Sequence, residues 1–181
     1  LIFRGAHDNL ILDVGCGNGR ISECISNTNR VYGLDLSLKI LQVARDKKRI
    51  MVNSDALHLP FANKMIDAVI SFGFLQLLNL EDALQCIREF NRVTKEDGVL
   101  VLSTLNGDSL LHRLLARNHA GKYYERRYNL DEITQLLTKN GFAVEEMYLL
   151  YPPLRFFYKS LSFGIFNRLV GSTFVIKARK Q

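Results

Sequence analysis

The chain has 181 residues, 48% of them hydrophobic, which is enough for one well-buried domain and short for two of ordinary size. Its three cysteines, Cys16, Cys24 and Cys86, are widely spaced with no C-x-x-C pair, which argues against a disulfide framework or a zinc site and suits a reducing cytoplasm. A net charge of +6 and a pI of about 9.3 would permit nucleic acid or an anionic membrane surface as a partner, but a basic balance alone specifies neither and first describes a solvated surface.

No secretory leader is expected at the start, because Arg4, His7 and Asp8 interrupt any apolar stretch; the chain opens on Leu1 rather than Met, which leaves room for a preceding segment. Leu10, Ile11, Leu12 and Val14 then form a short apolar run, the pattern of a strand covered on both faces in a parallel sheet. Gly15, Gly17 and Gly19 follow at every second position, where a side chain would obstruct a tight turn or the approach of a ligand to the backbone. A helix is predicted from near Asn18, with its free N–H groups facing the loop. A dinucleotide site prefers G-x-G-x-x-G, and the third glycine position of that pattern holds Arg20 here. The triplet alone fits nucleotide sites of more than one kind.

Val31 to Leu34 is predicted as a second strand ending at Asp35, with Ser37 as the N-cap of the next helix. A carboxylate at that strand end can accept from both hydroxyls of a ribose, so Asp35 is the candidate ribose ligand, against the plainer reading of an acid at a helix start. The helix carrying Leu38, Leu41, Val43 and Ala44 runs into Arg45, Lys47, Lys48 and Arg49, cations suited to a helix C-terminus. Ile50 to Val52 is a third strand, followed by a loop from Asn53 to Phe61 in which His58 reads as an exposed residue. Ile66 to Phe72 is a fourth strand with an acid near its start; its end, Ser71 to Phe74, is expected beside the glycine loop, and beyond it Gln76 could orient a substrate. Leu84, Ile87, Phe90 and Val93 mark a helix within Leu80 to Lys95, Glu96-Asp97-Gly98 a turn, and Val99 to Leu102 a fifth strand. Alternation of strands and helices means crossover connections and a doubly wound sheet, whose ligands bind outside the strand C-termini. Asp13, Gly15, Asp35, Asp55 and Ser71 all fall at those ends.

The second half is less patterned. Asn106 to Arg127 is a polar, basic connection containing His112, His119, Tyr123 and Tyr124, the candidates for a general base should the acceptor need one; no single catalytic residue stands out. Leu130 to Asn140 is a helix capped by Asn129 or Asp131 and stopped by Gly141, Phe142 to Leu150 a sixth strand, and Ser172 to Ala178 a seventh. Between these strands, Leu154, Phe157, Tyr158, Leu161, Ile165 and Leu169 fall on one helical stripe. Arg155, Lys159, Arg168 and the Pro152-Pro153 pair argue against a membrane span. The 151–170 segment could instead lie on a membrane, roof an apolar substrate, pack in the core or form a homodimer contact.

G-x-G-x-G after a strand carrying Asp13 resembles the first motif of class I S-adenosylmethionine-dependent methyltransferases. Asp55-Ala56 followed by Leu59-Pro60-Phe61 is similar to the type 11 branch that includes the ubiquinone and menaquinone methyltransferases. The resemblance covers Leu10 to Leu102 well and the remainder in outline; where relatives often carry a His after the fourth strand, this chain has Leu75-Gln76-Leu77-Leu78. It implies a Rossmann-like doubly wound sheet of seven strands, mostly parallel with an antiparallel last strand, and S-adenosyl-L-methionine as cofactor with S-adenosyl-L-homocysteine as product. It also implies cofactor contacts from Asp13, Gly15, Cys16, Gly17, Gly19, Arg20, Asp35, Leu36, Asp55, Ala56, Leu57, Ser71 and Phe72, with Asp55 accepting from the adenine amino group and Ala56 and Leu57 bordering the ring. No metal is implied. The function expected is methyl transfer to a small-molecule acceptor, a lipid-like one among the candidates, by a cytoplasmic enzyme for which peripheral membrane association is a further expectation. A non-catalytic cofactor-binding partner or regulatory domain and an RNA-modifying enzyme are the alternatives; no Asn-Pro-Pro-Tyr-type motif for base methylation is present, and Arg20 and the seventh strand disfavour an NAD-dependent oxidoreductase.

Overall fold

A computed structural model describes residues 8–44, 49–109, 126–150, 157–159 and 172–181. Strand β1 is Leu10–Val14 and β2 Arg30–Asp35, followed by β3 Arg49–Asn53, β4 Ile66–Phe72, β5 Thr94–Leu105, β6 Phe142–Leu150, β7 Phe157–Lys159 and β8 Thr173–Lys180. Helices α1 Arg20–Ile25, α2 Leu38–Val43, α3 Leu80–Val93 and α4 Leu130–Lys139 lie between them, with a 3₁₀ turn at Leu75–Leu77. The sheet order is β3-β2-β1-β4-β5-β8-β6-β7. β1 to β5 are mutually parallel, whereas β8 runs antiparallel to both β5 and β6. The chain winds outward from β1 to β3 and then crosses back to β4, so the order reverses between β1 and β4.

The doubly wound, mostly parallel sheet with an antiparallel late strand is as the sequence leads one to expect, and β1, β4 and β6 have the expected bounds. Two details differ. The sheet has eight strands among the described residues: Phe157–Lys159, part of the expected helical stripe, pairs antiparallel with Tyr148–Leu150 and occupies the open edge of β6. The rest of the 151–170 segment, like His112, His119, Tyr123, Tyr124 and the basic run Arg45, Lys47 and Lys48, lies outside the described residues. The fifth strand starts at Thr94, directly after α3, and the expected turn at Glu96-Asp97-Gly98 is a bulge inside it, since Ile66 faces Thr94 while Ala68 faces Val99. A Cβ on Gly98 would stand 2.8 Å from the Lys95 carbonyl oxygen and 3.0 Å from that of Asp67, so the bulge closes only on glycine.

Side chains alternate between two cores. Leu12, Val14, Leu34, Val69, Leu100, Leu102 and Ile176 meet Cys86, Ile87 and Phe90 of α3 and Ile133 and Leu137 of α4 on one face. Ile11, Val31, Ala68, Ile70, Val101 and Val175 form the other, with Ile25 of α1 against them. At about 25 cal/mol per Å² these continuous apolar strands make the sheet the chief source of burial. Helix ends are capped by side chains: Asn79 accepts from the Asp82 amide at 2.9 Å, and Asn129, the first of the two cap candidates, from that of Glu132 at 2.7 Å. The acid near the start of β4, Asp67, accepts from the Leu10 amide at 2.8 Å and from Lys95 at 2.6 Å, tying the strands at the end away from the β1–β4 reversal.

Candidate functional site

A cavity of about 450 Å³ opens at the C-terminal ends of β1 to β4, against the first turns of α3. It is lined by Gly15 after β1, Leu34 and Asp35 at the end of β2 and Leu36 after it, Ser54 to Leu57 after β3, Gly73, Phe74, Leu77 and Leu78 after β4, Ile40 of α2, and Asp82 and Cys86 of α3. The position is the one expected of a doubly wound sheet, where loops diverge at the reversal of strand order.

The glycine loop is shaped by backbone bonds. Gly15 and Cys16 both donate to the Leu34 carbonyl, at 2.8 and 3.0 Å, which folds the loop over the end of β2. Gly15 has φ +69°, and a Cβ there would lie 2.6 Å from the Phe74 ring, so this position excludes any side chain on two grounds. Around Gly17 nothing lies within 4 Å of where a Cβ would stand, leaving open space beside the loop. The Asp35 carboxylate accepts from the Gly17 amide at 3.0 Å and from the Ser37 amide at 2.9 Å, one bond to each oxygen. Asp55 accepts from the Leu57 amide at 2.9 Å, closing a local turn, while still lining the cavity.

Of the residues implied as cofactor contacts, Gly15, Asp35, Leu36, Asp55, Ala56 and Leu57 line the cavity together. Asp13, Cys16, Gly17, Gly19, Arg20, Ser71 and Phe72 are not part of that lining. Asp13 is buried and accepts from the Ser22 hydroxyl, anchoring α1 behind the loop. Gly19 caps α1 in a left-handed conformation, and Arg20 is that helix's first residue and exposed. Ser71 is fully buried and donates to the Val14 carbonyl at 3.2 Å, and Phe72 points to the second core, because alternation along β4 sends neighbouring residues to opposite faces. Of the 71–74 stretch expected beside the glycine loop, Gly73 and Phe74 line the cavity. Gln76 is outside the lining, and its carbonyl accepts from the Arg126 amide at 2.6 Å.

Asp82 and Cys86 were missed by sequence reasoning. Asp82 reads as a first-turn acid and Cys86 as one more buried position in α3; the only available signal is that the two are four residues apart and so share a helix face. Burial, reinforced by the negative charges of Asp55, Asp82 and Glu89, pushes the Cys86 thiol up to about 12, so it stays protonated at neutral pH and is no nucleophile.

Residues 12–102 match the family model described as a methyltransferase domain, about half of the chain. The chain belongs to the methyltransferase-domain family. Over 177 residues it is 30% identical to malonyl-[acyl-carrier protein] O-methyltransferase of Hamiltonella defensa, covering 94% of this chain and 66% of that protein. With demethylmenaquinone methyltransferase of Staphylococcus aureus it shares 38% identity over 100 residues, 50% of this chain and 40% of that one. This methyltransferase-family chain thus spans about two fifths to two thirds of the length of the curated relatives it matches. A SAM-dependent methyltransferase of Thermotoga maritima superposes with a TM-score of 0.80 over 99% of this chain and 86% of the other at 19% identity, a likeness of fold.

Family and fold together imply S-adenosylmethionine as the cofactor, and the cavity fits it. Three carboxylates line the cavity, those of Asp35, Asp55 and Asp82, and among the described residues no Lys, Arg or His does. Its apolar lining includes side chains with much surface still in water: Leu36 is 73%, Leu77 50% and Ile40 41% exposed, a set that a flat purine would cover. Among the described residues no cluster of His, Cys, Asp and Glu could hold a metal ion, and no helix is long and apolar enough to cross a membrane.

Proposed function

We propose that this protein transfers the methyl group of S-adenosylmethionine to a small-molecule, lipid-like acceptor by in-line displacement. The observation that carries the reading is the charge of the cavity: acidic and apolar, in a chain whose net charge is +6. A donor that is cationic at sulfur is favoured there, whereas the pyrophosphate of a dinucleotide would meet three carboxylates and, among the described residues, no cation. The relatives named for malonyl-[acyl-carrier protein] and demethylmenaquinone support a small acceptor.

When bound, S-adenosylmethionine supplies a methyl group already activated by the sulfonium. The protein's residues therefore bind and orient. Asp35 is placed for the ribose hydroxyls, Asp55 for the amino edge of the base, Ala56 and Leu57 for one face of it and Leu36 for another. Phe74, packed on Gly15, closes the loop side against water. Holding two reactants in line contributes about 7–11 kcal/mol in favourable intramolecular systems, so this architecture needs no dedicated nucleophile.

Thermal unfolding with added ligand tests the donor. S-adenosylmethionine or S-adenosylhomocysteine raises the melting temperature, as a ligand of the native state must, and a larger rise with NADH overturns the assignment. Transfer of labelled methyl to quinone and acyl-thioester acceptors tests the second substrate; tight donor binding with transfer to none of them favours a regulatory binding domain.

A further inference from the structure

The loop that carries Asp55, Ala56 and Leu57 continues through Phe61 without joining the sheet, and its backbone groups are bonded by one face of α3. Gln85 Nε2 donates to the Leu57 carbonyl at 3.1 Å. Glu89 Oε2 accepts from the Leu59 amide at 2.7 Å, and Arg92 Nη2 donates to the Leu59 carbonyl at 2.9 Å. Arg92 Nη1 donates to the Phe61 carbonyl at 2.8 Å and to Asn63 Oδ1 at 2.9 Å. Glu89 and Arg92 also bond each other twice, each time at 2.7 Å. Both are largely covered, with side chains 12% and 32% exposed, so the pair is better shielded than a surface ion pair. The Arg92 hydrogen bond holds the Glu89 carboxyl below its usual range, leaving it ionised and accepting at neutral pH.

Residues 85, 89 and 92 are four and three apart and so lie along one face of α3. Side chains at 85, 89 and 92 can thus address the backbone at 57, 59 and 61, and α3 serves this loop as a neighbouring strand would, with side chains in place of a ladder. Leu59, 4% exposed, is pressed into the core between these bonds, and the Phe61 ring meets Tyr32 of β2 edge-on at 5.5 Å between centroids. The far side of the same loop is the cavity wall formed by Asp55, Ala56 and Leu57.

We propose that Gln85, Glu89 and Arg92 are positioning residues that fix the 55–57 wall and thereby set the discrimination for the base of the donor. The proposal rests on the donor reading above. With the clamp intact, the Asp55 carboxylate is held where an amino group satisfies it and a carbonyl oxygen repels it. With the clamp loosened, the wall yields and the distinction fades. None of the three side chains needs to touch the ligand, apart from any effect through the loop.

The test is calorimetric binding of S-adenosylhomocysteine and of its deaminated counterpart, S-inosylhomocysteine, to the wild type and to Arg92→Lys and Gln85→Ala. Lysine keeps the charge and loses the fork that reaches three acceptors in the loop and both oxygens of Glu89; the Gln85 change removes one bond to the loop. Affinity for S-adenosylhomocysteine is expected to fall about tenfold in Arg92→Lys and less in Gln85→Ala, with the ratio between the two ligands moving toward one in both. Arg179→Lys, a change in β8 remote from the loop, serves as the stability control and keeps the wild-type ratio. A ratio unchanged in both clamp variants overturns the proposal even where overall affinity or melting temperature drops, and if Arg92→Lys does not fold, Gln85→Ala alone decides. A wild type that binds no S-adenosylhomocysteine overturns the donor reading instead.

Discussion

The Asp35 carboxylate holds the Gly17 amide with one oxygen and the Ser37 amide with the other, so the group placed for a ribose also fastens the glycine loop to the end of β2. Replacing it by Ala removes charge-assisted bonds worth about 1.5–3 kcal/mol, or roughly ten- to hundredfold in affinity for S-adenosylhomocysteine by calorimetry. The melting temperature falls as well, since two loop amides lose their acceptor. Asp35→Asn keeps one acceptor oxygen for those amides and is expected to regain part of the stability with little of the affinity; unchanged affinity in Asp35→Ala would remove the residue from the site. Its position at a strand end was legible in the sequence because strand periodicity and the following N-cap bracket it. What the periodicity could not convey is that the buried Ser71 hydroxyl bonds the Val14 carbonyl while Phe72 faces the second core, or that Asp82 and Cys86 reach the cavity, since a helix face is assigned to core or ligand only once its neighbours are placed.

Among the elements, β1, β4 and β6 were legible to the residue because apolar runs bounded by Gly, Asp or turn residues leave little choice. The start of β5 was not. Lys95, Glu96 and Asp97 read as a polar turn, and only the pairing of Thr94 with Ile66 makes them a bulge within a strand. β7 was read with helical spacing, yet its three residues complete the edge of β6, a tertiary demand that local pattern does not report. Between β6 and β8, Arg179 and Lys177 pair with Glu145. The Arg179 hydrogen bond, helped by Lys177 and opposed by burial, holds the Glu145 carboxyl below its ordinary 4.5. A depressed folded value means that stability from this contact is present above about pH 4.5, the unfolded value, and is lost as pH falls through the lower folded one. Urea unfolding from pH 7 to 3 should therefore show a steeper loss below that point in the wild type than in Glu145→Gln; parallel curves would show that the contact adds nothing.

At the scale of the molecule, the parallel half of the sheet, β3-β2-β1-β4-β5, is built from residues 10–105 alone, and all the described residues that line the cavity fall within that span. The remainder obeys another logic. β8 comes after β6 and β7 along the chain but stands between β5 and β6, so β6 borders only β8 and the three-residue β7. A two-stranded ribbon of that size is marginal in water. Order of assembly follows: the donor-binding half can condense first, while β6 stays unmoored until a strand at least 22 positions downstream threads into the gap beside β5. In pulse-labelled refolding, amides of β1 and β4 should gain protection before those of β6, and those of β6 in step with those of β8; early protection of β6 alone would contradict this. During synthesis, where earlier residues emerge first, the same insertion leaves the free edge of β5 exposed for as long as β8 is unmade, and that edge is where a stalled or truncated chain is most exposed to pairing with another copy.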